Sequence, residues 1–412
     1  MKNKWTLLAF LCAIFVVYTI DRAMLGPLAI PIQTDTGISD VQFGFLNAAV
    51  FWTYAAVVPF AGFLGDRFSR LKLVGIASIL WSVMMVFAGF ANGFWSLLLL
   101  VSFAVTVPQT FYSPAAVALL ASRHKETRTV AMSCHQSAFY AGWFLSGASV
   151  ALLLGIFGSW RSAYFVFGGL GLVLGVVFLV AGKGEAGDES HQGAVRTMPS
   201  FKEALKAFCC CPSALIAALG HAAFTAVAFG YCAWGPKFVA EKFAISPGAA
   251  GTGVMFWHFA AALVAVLLTG FLTDRVVGRF PKIRLSLQSI ALLLSAPLLV
   301  LFGFAPTLPL VWIAAAVFGI MKGSFEANSV NSLFDVIPSG CRASAMGFLN
   351  VLSGMLGAFV PIFLGWLSQQ EGVRGLEYGF ALLGGLLVIA CLLLCFSLFR
   401  TFDKDRMKGC LQ

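Results

Sequence analysis

The sequence predicts an all-α membrane protein: twelve transmembrane helices in two pseudo-symmetric six-helix bundles, with both termini cytoplasmic. Apolar residues make up 60% of the 412-residue chain and charged ones 11%, too little polar surface to coat a soluble globule of this size. The apolar residues fall in twelve continuous runs, each close to the roughly 20 residues a spanning helix needs. Two segments 208 residues apart repeat one charged turn, GFLGDRFSRLK at Gly62–Lys72 and GFLTDRVVGRFPK at Gly270–Lys282, so Asp66 and Arg67 recur as Asp274 and Arg275. RTVAM at Arg128–Met132 likewise returns as RASAM at Arg342–Met346.

The spans are read at roughly 6–31, 41–64, 72–91, 95–121, 130–156, 160–181, 210–235, 248–272, 283–304, 308–333, 343–368 and 376–399. Barrel strands would alternate apolar and polar residues over about ten positions, and these runs do not. Residues 1–182 form the first bundle and 208–412 the second. Between them, 183–207 is a solvated Gly, Ser and charge-rich linker, with Phe201–Lys206 a short helix on the membrane surface. Gly26-Pro27, Pro108, Pro114, Gly235-Pro236 and Pro361 mark bends in spans one, four, seven and eleven.

Orientation follows from the basic residues, which cytoplasmic loops retain. An inside N-terminus puts 21 of the 27 Lys and Arg on the cytoplasmic face. Arg161, Lys237, Lys242 and Arg374 fall outside, and Arg22 and Lys322 lie within spans. The net charge of +10 is therefore a topology signal, and nucleic acid is not an expected partner. The first apolar run is too long for a secretory signal and lacks a small-residue cleavage site, so it stays as a helix. The ten cysteines show no metal-ligand spacing and imply no disulfides. No nucleophile elbow, phosphate-cradling loop or metal motif is present, so neither an enzyme nor a cofactor or metal is expected.

A charge in a span costs at least about 2.5 kcal/mol and persists only with a partner or a watery cavity. Asp21 and Arg22, His221, and Lys322 with Glu326 are such groups. Lys322 and Glu326 stand one turn apart and are placed to pair. Asp21 and Arg22 are adjacent, so they point about 100° apart and cannot serve one neighbour. A buried cation in each half suits a carboxylate ligand, with Arg22 as a fork and Lys322 as a point charge. Tyr54, Gln109, Tyr112, Asn328 and Asn331 are the neutral substrate-binding candidates, with Asn47 and Gln136 beside them. His135 and His258 carry a weaker signal. Each neutral group alone is more often a helix–helix hydrogen bond than a ligand contact. In the repeated turns, Gly62 and Gly270 permit close helix approach, the Asp can cap a helix, and Arg67, Arg70 and Arg275 can pair across an interface.

The G-x3-D-R turn after the second helix of each half resembles the signature of the major facilitator superfamily of secondary transporters, over essentially the whole chain. The resemblance implies that this turn is a conformational latch, that helices one, four, seven and ten line a central cavity, and that transport proceeds by alternating access. Ser69 stands where a glycine is usual. The stretch YTIDRAMLGPLA resembles the first helix of the anion:cation symporter branch, which includes sialin-like and sugar-acid transporters. That likeness implies carboxylate binding by Arg22 and a proton site at Asp21. Where many relatives carry a glutamate in helix four, this chain has Gln109 and Tyr112, which leaves Glu326 as the replacement proton carrier. The expected function is proton-coupled uptake of a small organic anion by a monomer in the bilayer, with a bacterial inner membrane the expected location. One rival is a proton-coupled exporter of drugs or lysolipids, since the DR turn and WGPKFV at Trp234–Val239 also resemble spinster-type proteins. The other is a transport-dead receptor or sensor of the same fold.

Overall fold

The structure, a computed structural model, describes residues 3–124, 126–182, 201–338 and 341–411. The linker positions 183–200, the surroundings of Gly62 and the side chains of Asp66 and Arg67 lie outside what is described. Among the described residues, twelve helices are long and apolar enough to cross a membrane, each satisfying its own backbone hydrogen bonds as lipid demands. Many of their outward faces carry large apolar side chains such as Leu99, Leu152, Ile156 and Leu392.

Contacts divide the chain into two compact units, Met1–Gln192 with Cys232–Phe256, and Gly193–Tyr231 with Trp257–Gln412. The first unit begins with α1 (Lys4–Met24), whose start is capped by the Asn3 side chain accepting from the Trp5 N–H at 2.9 Å. Gly26-Pro27 ends the helix, because proline lacks an N–H and disfavours helical geometry in the residue before it. The chain resumes as α2 (Ala29–Thr36), which Gly37 closes in the left-handed conformation at φ 69°. Next come α3 (Asp40–Arg67), α4 (Arg70–Ala88), α5 (Phe94–Leu97), α6 (Thr106–Arg123), α7 (Arg128–Phe157) and α8 (Arg161–Ala181). Between α5 and α6, Leu98–Val105 winds as a π-helix just ahead of Pro108, the wider register easing the site of the lost proline bond.

Small residues let these helices touch. Gly171 and Gly175 of α8 meet Ser82 and Ile79 of α4, and the Ser78 and Ser82 hydroxyls bond back to their own helix at 2.7 Å. The segment Cys232–Phe256 is seated just as closely. A Cβ on Gly26 would stand 2.1 Å from the Cys232 carbonyl oxygen, and one on Gly147 2.2 Å from that of Gly251. Pro27 and Ala151 abut Gly251 and Gly248 in turn.

The rest of the chain is α9 (Phe201–Cys209), α10 (Pro212–Phe243), α11 (Pro247–Val276), α12 (Ile283–Phe304), α13 (Leu308–Phe334), α14 (Arg342–Gly357), α15 (Phe359–Glu371), α16 (Val373–Phe396) and α17 (Phe402–Leu411), with a π-helical turn at Ser397–Thr401. In the second unit α12 packs on α13 and α16. A Cβ on Gly319 or Gly323 of α13 would lie 2.1 or 2.3 Å from a carbonyl oxygen of α11. Span seven runs to Phe243, past its expected end, because Pro236 is absorbed inside α10 without a break. Span eleven breaks at Ala358, three residues before Pro361, which has no N–H to donate to the carbonyl four residues back and whose ring crowds that oxygen.

Candidate functional site

In the first unit, the last turn of α1 presents Asp21 and Arg22 in different directions. Asp21 is buried and accepts from Gln109 Nε2 at 2.7 Å, and the same amide reaches the Tyr18 carbonyl at 3.4 Å. Arg22 is half-buried. Its Nη1 donates to the Tyr18 hydroxyl at 3.2 Å, and the guanidinium lies 4.9 Å from the Tyr54 ring centroid, 5.8 Å from Tyr18 and 5.9 Å from Phe51. No carboxylate among the described residues forms an ion pair with it. Aromatic faces hold such a cation at about 0.5–2 kcal/mol and leave most of its donors available.

Behind this pair runs a stack of rings. Tyr112 of α6 is fully buried and donates to the Leu11 carbonyl at 2.7 Å. Its ring packs 5.7 Å from Phe15 and 5.6 Å from Tyr18, which also touch each other, and His135 stacks on Phe15 at 4.1 Å. Asn47 donates to the Phe43 carbonyl at 3.0 Å and shares a face of α3 with Phe51 and Tyr54.

In the second unit, Lys322 Nζ donates to Glu326 Oε1 at 2.6 Å along α13, with the lysine buried and the glutamate half-buried. The Lys322 ammonium lies 5.4 Å from the Phe259 centroid. His221 of α10 bonds through Nδ1 to the Ser329 hydroxyl at 2.7 Å and stacks on Phe325. His258 sits among the rings of Tyr231, Phe259 and Phe318. Asn328 is buried and gives its amide to the Ser324 carbonyl, while Asn331 is exposed and bonds Ala327.

At the second copy of the repeated turn, a Cβ on Gly270 would stand 3.9 Å from the Ala327 Cβ, an ordinary contact distance. Asp274 accepts from Arg284 Nη2 at 3.2 Å, while Arg284 Nη1 forks onto both oxygens of Asp335 at 2.9 and 3.2 Å. Arg275 stacks on Phe271 at 3.9 Å. Of the first copy, Arg70 is half-buried at the start of α4.

Two charge clusters of the first unit join Lys237 and Arg161 to acidic partners that no sequence spacing indicated. Lys237, nearly buried, is paired with Asp40, bonds Gln33 Oε1 at 3.0 Å and lies 3.6 Å from Glu241. Asp35 is paired with Arg161 and accepts from the Trp160 indole at 3.0 Å. The Arg161 and Trp160 hydrogen bonds hold the Asp35 carboxyl below its usual range. Only one sequence signal pointed to either cluster, the rarity of cations on the face opposite the positive loops.

Residues 11–287 and 233–408 match the model of the Major Facilitator Superfamily. The chain is 25% identical over 379 residues to an MFS-type efflux pump of Mycolicibacterium smegmatis, covering 90% of this chain and 85% of that protein. It is also 25% identical over 405 residues to the D-galactonate transporter of Escherichia coli, covering 90% of each. Among solved structures, a bacterial homolog of the human lysosomal transporter Spinster, crystallised inward-facing and unoccupied, superposes with a TM-score of 0.84 at 20% identity over 98% of this chain and 99% of that one.

Proposed function

The chain belongs to the Major Facilitator Superfamily, and within that family of transporters we propose that it is a proton-coupled symporter importing a small organic anion by alternating access. The observation that carries this reading is Arg22, a half-buried cation that is surrounded by rings and forms no carboxylate pair among the described residues. A structural arginine in a span would be neutralised by an acid. This one keeps its fork for a ligand. Its neighbour Asp21, buried against Gln109, is a carboxyl set to gain and lose a proton beside that ligand. In the second unit, Lys322 and Glu326 supply a cation whose partner can be titrated away, so that proton and anion favour each other's binding. The D-galactonate relative supports an anionic substrate.

The test is uptake of labelled carboxylates into proteoliposomes under an inward proton gradient. Arg22→Ala is expected to abolish uptake, and Arg22→Lys to weaken it, because a point charge does not replace a fork. Normal uptake by the alanine variant refutes the reading. The efflux-pump relative supports the rival, proton-driven export. That rival wins if the gradient drives substrate out of the vesicles that import protons.

A further inference from the structure

Resting on the anion reading above, we infer that the ligand held at Arg22 is a carboxylate with a flat apolar body and at most one hydroxyl, rather than a polyhydroxylated acid. The groups around Arg22 divide sharply by what they can still offer. Tyr18, Phe51 and Tyr54 present ring faces to the guanidinium. The polar donors nearby are committed to the protein: the Gln109 amide nitrogen to Asp21 and the Tyr18 carbonyl, Tyr112 to the Leu11 carbonyl, and Thr19 to the Phe15 and Val16 carbonyls at 2.8 and 3.0 Å. What is left beside the guanidinium is chiefly donors, the remaining Arg22 N–H groups and the O–H groups of Tyr18 and Tyr54, which suit the two oxygens of one carboxylate. Along the same face of α3, one turn before Phe51, Asn47 gives one amide N–H to Phe43 and keeps the other together with its amide oxygen. That oxygen accommodates a single ligand hydroxyl.

A sugar acid brings a hydroxyl on nearly every carbon, and each one left unpaired on burial is penalised. An aromatic or otherwise flat apolar body instead gains ring contacts from Phe51 and Tyr54 and strips water from the ion pair. Around Lys322 in the second unit the Phe259 ring likewise lies beside the ammonium and the nearby His221 is committed to Ser329, while Glu326 pairs with the lysine itself.

The experiment is a thermal-shift titration of the full chain in detergent, converted to affinity by linkage, with four probes: benzoate, 4-hydroxybenzoate, gluconate and acetate. Benzoate and 4-hydroxybenzoate are expected to bind at least about tenfold more tightly than gluconate, with Arg22→Ala removing both. Phe51→Leu, which keeps apolar volume but loses the ring face, should weaken benzoate by about fivefold and leave acetate unchanged, a split that a general folding defect would not produce. Gluconate binding more tightly than benzoate, and lost in Arg22→Ala, overturns this inference while leaving the anion reading intact. Binding of all four probes that is absent, or insensitive to Arg22→Ala, overturns both.

Discussion

Removing Asp335 is expected to cost far more than removing Asp274, although Asp274 belongs to the repeated turn and Asp335 does not. Both carboxylates bind Arg284. The Asp335 contact is a fork of 2.9 and 3.2 Å between side chains only 16% and 22% exposed, whereas Asp274 makes one 3.2 Å bond and is 72% exposed. Position adds to the difference. Arg284 stands in the first turn of α12 and Asp335 just past the last turn of α13, each at the helix end whose dipole disfavours its charge. Each therefore depends on the other. A charge-assisted bond is worth about 1.5–3 kcal/mol, and partial exposure together with the dipole penalty left on Arg284 brings Asp335→Asn to about 2 kcal/mol. Asp274→Asn, an exposed single contact, should fall below about 1 kcal/mol. Thermal unfolding in detergent, followed by tryptophan fluorescence and arranged as double-mutant cycles with Arg284→Ala, measures both couplings. Equal couplings, or a larger one for Asp274, would refute the assignment of strength by burial. The result also bears on the turn itself: a large effect of Asp274→Asn on transport, at little cost in stability, would mark it as a conformational rather than a structural residue.

Glu326→Gln should lose accumulation driven by a pH gradient yet keep substrate exchange, because one pH unit supplies about 1.36 kcal/mol per proton only through a group that titrates; accumulation by the variant would move the proton to Asp21. The Asp35 carboxyl is held below its ordinary value of 3.8 by Arg161 and Trp160, so its contribution to stability is present above that value and lost as pH falls through the lower folded one. Melting curves of the wild-type chain and Asp35→Asn should therefore differ near neutrality and converge in strong acid, and a constant gap across pH would exclude the linkage.

Hydropathy and length made the helices legible, since lipid leaves helices or closed barrels as the spanning structures and the runs do not alternate. Their interruptions were only partly legible. Gly26-Pro27 stops α1, whereas Pro236 stays inside α10, and the difference lies in packing that a local pattern does not encode. Lys322 and Glu326 were readable as partners from their one-turn spacing. Asp21 with Gln109, 88 residues apart, and Arg284 with Asp335, 51 apart, were not, because only the tertiary fold brings them together. Adjacency did foretell that Asp21 and Arg22 need separate neighbours. That Arg22 would find rings instead of an acid could not be read from residue types alone.

The glycine contacts of Cys232–Phe256 carry a consequence for how the chain is made. Gly26 and Gly147 emerge from the ribosome well before the segment whose backbone fills the space above them. Until Cys232 to Phe256 has been synthesised, the nascent first unit holds open slots lined by glycine, with no side chains to close them. Its last packing step waits on residues that follow the linker. Completion of that unit is thus timed by synthesis of the second half, and a fragment ending at the linker would insert its helices yet remain unfinished until the missing segment was supplied in trans.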